Sequence, residues 1–387
     1  MKQFTIKNFG PIDHVSVDFA DLTLLVGPQA SGKSLFLQLL KLIIDKEHIV
    51  HTLDKYSYIL DKNPRLVLEA YFGEGTASIW RKETSAELDG TRYTASHLLG
   101  PLNENAVEKL FYIPAQRILS MNDGRLKNFM EFEATTPYVL RYFSELLRLY
   151  MQRGLGAKET IFPIQTRLKA SLKKAFKENV FHEGTIVMDN HNGQKQMRMH
   201  IEGMSLPFMT WSAGQKEFMP LLLSFYSLLG PESKVVKKSQ YRYVVIEEPE
   251  MGLHPQAILS VLLQVIELMQ EGFQVIVSTH STQPLEFAWA FNLLKEHSEQ
   301  YGIKPLMELF NLDDTPQNRK LLDGIWKKRI STHYFTRKGN KVQSTDISTL
   351  DAGSENPAIC EWGGLSQFAG RTSEIVSKYL WEKARQS

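Results

Sequence analysis

The sequence predicts an α/β fold with a mixed sheet, and three stretches predict it. Leu22 to Val26 is a short apolar run ending at a glycine; from Gly32 the period turns helical, with Leu35, Leu39, Leu42 and Ile43 on one face. Tyr243 to Ile246 is a second apolar run and delivers carboxylates at its end. Gln274 to Ser278 is a third, ending at Thr279-His280. A helical pattern from Pro255 to Gln270 lies between the last two.

The remaining elements follow from period and punctuation. Residues 2–7 and 14–19 alternate like strands around Asn8-Phe9-Gly10-Pro11. Alternation returns over 66–82, with Gly73 and Gly75 placed to turn a hairpin, so the first lobe reads as mixed or antiparallel. Two helical stretches, Tyr138 to Arg153 and Ile164 to Glu178, are too short for a coiled coil. A hairpin is expected over 185–201 around Asn190-His191-Asn192-Gly193. A helix should run from Gln215 through Leu229, another hairpin should form within THYFTRKGNKVQ, and a last helix should start near Ser366. The expected division is 1–120, a lobe with the glycine-rich loop; 121–205, a helical insert and hairpin; 206–296; and 297–387, a C-terminal extension.

With 387 residues, 43% of them apolar, the chain can bury a large core, and disorder is not expected. The 45 basic and 43 acidic side chains argue against a surface given over wholly to nucleic acid. A single cysteine, Cys360, suits a reducing compartment. No run reaches the length of a membrane span and the first ten residues lack a signal-peptide core, so a cytoplasmic protein with no membrane association is expected.

Gly27-Pro28-Gln29-Ala30-Ser31-Gly32-Lys33-Ser34 carries the clearest chemistry. Its glycines let backbone N–H groups turn inward around phosphates, and the following helix sets its positive end there. Gly27, Gln29, Ala30, Ser31 and Gly32 form the cradle. Lys33 would reach the β and γ phosphates, and Ser34 would hold Mg²⁺. Asn340-Lys341-Val342-Gln343 lacks the Asp of a guanine reader, which favours ATP. The acidic strand end divides by spacing, with Glu247 assigned to the metal and Glu248 to the attacking water. His280 stands about 30 residues later, placed to report the γ phosphate if the two strands are neighbours. Ser212-Ala213-Gly214-Gln215 opens a helix and makes an anion site there, although Ser212 and Gln215 are equally the two ends of an ordinary capping box.

Phosphate loop, signature, acidic strand and histidine in this order resemble the ABC-type ATPase heads, in the branch of RecF, the OLD nucleases and the SMC heads. IKNFGPI, IEEPEMGLHP, VIVSTHS, SLPFMTWSAGQKEFMPLL and FYIPAQR each resemble a string of that branch, and together they cover about residues 1–290. The resemblance implies a P-loop NTPase head with an antiparallel N-terminal subdomain and a helical insert. It implies ATP and Mg²⁺, with Glu248 and His280 catalytic, and Ser212, Gly214 and Gln215 completing the partner chain's site. Glu247 replaces the usual Asp, Trp211 stands where a small residue is common, and Gln116 is the candidate Q-loop glutamine and metal ligand.

The expected function is an ATP-hydrolysing regulator that forms a head-to-head homodimer or higher oligomer on ATP. It would control a separate effector, a nuclease or toxin, in bacterial antiphage defence. A RecF-like DNA-repair ATPase and a transporter ATP-binding subunit are the alternatives. DNA is a possible partner through 148–200, where Arg148, Arg153, Lys158, Arg167, Lys169, Lys173, Lys174, Lys177, Lys195 and Arg198 face only four acids, Glu159, Glu178, Glu183 and Asp189.

Overall fold

The computed structural model describes residues 1–386 apart from 101, 104, 156–159, 165 and 192. From the N-terminus run β1 (Gln3–Phe9), β2 (Ile12–Asp18), β3 (Leu22–Val26), α1 (Lys33–Lys55), α2 (Pro64–Phe72), β4 (Trp80–Leu88), β5 (Thr91–Tyr93) and β6 (Leu110–Ile113). The middle of the chain adds β7 (Met121–Asn122), β8 (Arg125–Leu126), α3 (Tyr138–Leu149), β9 (Thr160–Phe162), α4 (Ala170–Phe176), β10 (Thr185–His191), β11 (Gln194–Ile201) and β12 (Met204–Pro207). Then come α5 (Ala213–Leu229), β13 (Tyr243–Glu247), α6 (Pro255–Gln270), β14 (Gln274–Thr279) and α7 (Gln283–Glu296). Short helices α8 (Ser298–Tyr301), α9 (Lys304–Leu309) and α10 (Pro316–Leu322) lead to β15 (Ile330–Lys338) and β16 (Lys341–Asp346), followed by α11 (Pro357–Cys360) and α12 (Gln367–Gln386).

The main sheet has ten strands in the order β5-β4-β1-β2-β16-β15-β3-β14-β13-β6. β3, β14, β13 and β6 pair in parallel, whereas β1 pairs antiparallel with β2 and β4, which makes the sheet mixed as expected. Strand alternation divides the core. Leu22, Leu24, Val26, Val244, Ile246, Val275 and Val277 face one apolar layer with α5, α6 and α7; Leu25, Val245 and Ile276 face the other with α1 and α2. A separate four-stranded sheet, β12-β11-β10-β9, belongs to the insert and contains the expected 185–201 hairpin.

Three local expectations are corrected. Residues 64–72 form a helix, not a strand: Pro64 stands in its first turn, Asn63 accepts from the Arg65 N–H at 3.0 Å, and Val67, Leu68, Ala70, Tyr71 and Phe72 are buried. The first-lobe hairpin turns instead at Asp89-Gly90, between β4 and β5. The helix expected from Ile164 begins only at Ala170. Before it, the Arg167 guanidinium donates to the Tyr150 hydroxyl at 2.8 Å and to the carbonyls of Gly154 and Pro231, fastening that stretch to its neighbours as a turn. The tail supplies β15 and β16, which lie inside the main sheet between β3 and β2.

A buried ionic group fastens α1 to β6. Lys41 Nζ donates to Asp45 Oδ2 at 2.7 Å, Glu108 Oε1 at 2.5 Å and the Leu110 carbonyl at 2.6 Å. Asp45 in turn accepts from the N–H groups of Lys109 and Leu110, and the backbone bends at Asp45 to let it do so. Burial opposes the charge on Lys41, but the two carboxylates hold its pKa above the usual lysine range. Lys41→Met would leave both carboxylates uncompensated and should cost about 3–5 kcal/mol. Urea denaturation measures it, and a loss below ~1 kcal/mol would show that the network does not hold α1 in place.

Candidate functional site

The phosphate loop joins β3 to α1, and backbone geometry fixes its course. Gly27 has φ 147°, and a Cβ there would lie 2.3 Å from the Phe335 carbonyl of β15, so only glycine lets the loop pass. Ala30 at φ 56° and Gly32 at φ 80° complete the turn. Gln29 and Ala30 are exposed at the crest and Ser31 is buried beneath it. Arg337 of β15 donates to the Ala30 carbonyl at 3.1 Å, so the late hairpin also supports the loop.

Lys33 folds back over this loop. Its Nζ donates to the carbonyls of Gly27 at 2.8 Å and Pro28 at 3.1 Å, and lies 3.3 Å from Ser31 Oγ. Burial lowers its pKa to about 8, against the opposing pull of Glu248, Glu250 and Glu247.

The neighbouring strand ends bring the acidic groups and the histidine to the same place. β13 and β14 pair with Glu247 opposite Ser278, and β14 and β3 with Thr279 opposite Val26. His280 Nε2 lies 3.1 Å from Glu248 Oε1 and 3.4 Å from Lys33 Nζ. The hydrogen bond with His280 holds the Glu248 carboxyl below the usual range, against its partial burial. Glu248 sits at φ 42°, a left-handed conformation uncommon for a non-glycine residue, and its N–H donates to the Ser278 carbonyl at 2.8 Å.

Glu247 is different in character. It is buried, and burial raises its pKa, opposed by the hydroxyls of Ser34 and Tyr112 and by the Ala115 N–H. Its Oε1 is enclosed without a hydrogen-bond partner. An enclosed carboxylate oxygen beside an exposed Ser34 hydroxyl fits a divalent cation, and these two residues would hold Mg²⁺. Gln116, the third expected ligand, is exposed three residues beyond the end of β6, directly after Ala115.

The signature segment is built as a helix start. Ser212 Oγ accepts from the Gln215 N–H at 3.2 Å, Gln215 Oε1 accepts from the Ser212 N–H at 3.0 Å, and Gln215 Nε2 donates to the Val180 carbonyl. The capping box forms, and it leaves Ser212 exposed at the N-terminus of α5. Gly214 is pressed against Gly252, where a Cβ would lie 2.3 Å from the Gly252 carbonyl. Trp211 packs beneath the loop on Phe208, its ring N–H donating to the Leu206 carbonyl at 3.2 Å.

Two further residues belong to the site. Glu250 Oε1 accepts from Thr279 Oγ1 at 2.8 Å and from the His280 N–H at 2.6 Å, which fixes the histidine's backbone. Arg117 is fully buried and donates to the carbonyls of both Glu247 and Glu248. Both stand in strings already noted, EEPE and IPAQR; a charged residue within an apolar stretch was the available signal.

Several of the described basic residues of 148–200 have partners of their own. Arg148 is bound to Glu145 through Nε and Nη2, Lys169 to Glu267 at 2.9 Å, Lys177 to Glu183, and Arg198 to Ser205. Lys158 lies outside the described residues.

The family model described as "AAA domain, putative AbiEii toxin, Type IV TA system" matches residues 22–286. The chain belongs to this family. Among curated proteins it is similar to the "Old nuclease" of Escherichia phage P2, 34% identical over 88 residues, which is 23% of this chain and 15% of that protein. The match therefore spans a small part of the nuclease. Among solved structures, an SMC head bound to the C-winged helix domain of ScpA is 13% identical at a TM-score of 0.39, covering 89% of this chain and 97% of that one. The SMC head domain of Thermotoga maritima is 16% identical at a TM-score of 0.34, covering 89% and 98%. The chain is thus a P-loop protein of the AAA-domain family with local similarity to an OLD nuclease. Among the described residues, no helix is long and apolar enough to cross a membrane.

A Lys33 that binds phosphate would do so in its charged form, whereas burial in the free protein lowers its pKa to about 8. Above pH 8, ATP binding should therefore take up a proton, and affinity should fall by up to about tenfold per pH unit. Titration calorimetry at pH 9 in buffers of different ionisation enthalpy measures this; binding without proton uptake would contradict it.

Proposed function

We propose that this protein hydrolyses ATP and uses the ATP-bound state to hold two heads together, each phosphate loop being closed by the other chain's 212–215 segment. The observation that carries this reading is that the two groups hydrogen-bond to different partners. Lys33, Glu248 and His280 meet at one set of strand ends, while Ser212 and Gln215 bond each other and Val180. The start of α5, exposed at Ser212 and Ala213, would receive a phosphate presented by the partner chain.

In this reading Lys33 and the loop N–H groups bind the polyphosphate, and Glu248, kept ionised by His280, orients and polarises the attacking water. A Mg²⁺ ion held by Ser34 and Glu247, with Gln116 as the further candidate, supplies neutralisation of phosphate charge. His280 touches both Lys33 and Glu248, so it is placed to report whether the γ phosphate is there. The coupled output would be a separate effector, a nuclease or toxin, in bacterial antiphage defence. The toxin–antitoxin wording of the family and the OLD-nuclease match support that assignment. DNA remains a proposed partner through Arg153, Lys174 and Lys195, which are exposed; a cytoplasmic location is proposed with it.

Glu248→Gln should abolish turnover while leaving ATP binding intact, and should accumulate a dimer at saturating ATP and Mg²⁺. Light scattering after size exclusion reads this out; a variant that binds ATP and stays monomeric would exclude the shared site. Mixing inactive Lys33→Ala with inactive Ser212→Arg chains should restore ATPase activity, because one composite site in the mixed dimer joins two intact halves. Sites formed within single chains would give no recovery.

A further inference from the structure

At the end of the sheet that carries the site, strands continue past the phosphate loop in both directions, and the proposed chemistry uses only one of them. β3 is flanked by β14, which leads to His280, and by β15, whose last residues are Arg337 and Lys338. Thr279 and Tyr334 both stand opposite Val26, one on each side, so the turn after β15 borders the loop on the side away from His280. That turn, 337–341, reads Arg-Lys-Gly-Asn-Lys and is exposed throughout. Beyond it lies the β1–β2 turn, because Val342 of β16 pairs with Ile12. A Cβ on Gly32 would meet Ile12 at 3.5 Å and Val342 at 3.6 Å, so the loop, the hairpin and the β1–β2 turn adjoin.

The direction of a bound nucleotide follows from the charges. Its γ end belongs with His280 and Glu248 on the β14 side, so the polyphosphate crosses the loop and the nucleoside emerges over the β15–β16 turn. A purine is held best by a flat partner on which it can stack. The loop 27–34, the turn 8–11 and the hairpin turn 337–341 contain one aromatic side chain, Phe9, and it is fully buried. Arg337 supplies a planar group there instead. Its Nε donates to the Gly339 carbonyl at 3.1 Å and its Nη1 to the Ala30 carbonyl at 3.1 Å. Guanidinium donors lie in the plane of the group, so these two bonds fix its orientation at the loop crest without using its faces. Among the described residues, its Nη2 has no hydrogen-bond partner. The neighbouring Lys341 is engaged with Asp13 at 3.3 Å, and Gln343 donates to the same carboxylate at 3.0 Å.

We propose that Arg337 contacts the nucleoside: its guanidinium stacks on the purine of the bound nucleotide, and Nη2 is available to a ribose oxygen. This deepens the ATP-binding reading above and rests on it. One side chain of the late hairpin then both braces the phosphate loop and holds the base that emerges from it.

The test separates base contact from bracing. Calorimetry on the full chain with Mg²⁺ compares ADP with tripolyphosphate, which can fill the loop but carries no nucleoside. Arg337→Ala should weaken ADP binding by about tenfold, the size of one stacking contact with a cation, and leave tripolyphosphate binding unchanged. Equal losses for the two ligands would mean that Arg337 only braces the loop, and an unchanged ADP affinity would mean that it touches no nucleoside; either overturns the proposal. Arg337→Lys keeps a donor for the Ala30 carbonyl but has no flat face. It should show the same ADP-selective loss, and full ADP affinity in that variant counts equally against stacking. A wild-type chain that binds neither ligand would instead remove the ATP reading itself.

Discussion

The registers of three neighbouring parallel strands decide where every charged group of the site stands. β3, β14 and β13 end level with one another, so the turns that leave them meet in one small volume. A slip of one residue in either pairing would send Glu247 or Thr279 to the opposite face of the sheet and separate Lys33 from both Glu248 and His280. That register is guarded from both sides by alternating apolar residues, Val244 and Ile246 toward one layer and Val245 toward the other. The chemistry at the strand ends is thus specified by the core beneath it.

What the strands assemble is an excess of acid around few cations. Glu217, Glu247, Glu248 and Glu250 surround Lys33 and Arg117, and two carboxylate oxygens, Oε1 of Glu247 and Oε2 of Glu250, are enclosed without partners. Enclosed, unpaired oxygens are costly in the free protein, and an arriving cation would offset part of that cost. The glutamate that replaces the usual Asp at position 247 is not held away from the site by its extra methylene. Its carboxyl lies beside both Ser34 and Tyr112.

The sequence made the site legible wherever chemistry and local pattern coincide. A glycine-rich loop after an apolar strand, carboxylates at a strand end and a serine at a helix start are all readable within ten residues, and each stands where it was expected. Long-range partnership was not readable in this way. Arg117 looks like any arginine after a strand until Glu217, a hundred positions later, folds against it. The run over 64–72 alternates well enough for a strand; only the burial of Val67, Leu68, Ala70, Tyr71 and Phe72, together with the Asn63 cap, makes it a helix. Likewise composition over 148–200 does not show which basic residues are paired; Glu145, Glu267 and Glu183 take Arg148, Lys169 and Lys177.

The placement of β15 and β16 has a consequence for how the protein comes into being. β15 pairs with β3 and β16 with β2, joining residues more than 300 positions apart in the middle of the main sheet. The phosphate loop rests on Phe335 and Arg337 of that same late hairpin. A growing chain that has made the loop, the signature and the histidine still lacks the strand against which the loop is set. Contacts of such separation form late and slowly. A nascent or truncated chain ending before residue 330 would therefore carry every recognisable motif and still have no formed nucleotide head, so competence arrives only as the last part of the sheet is synthesised.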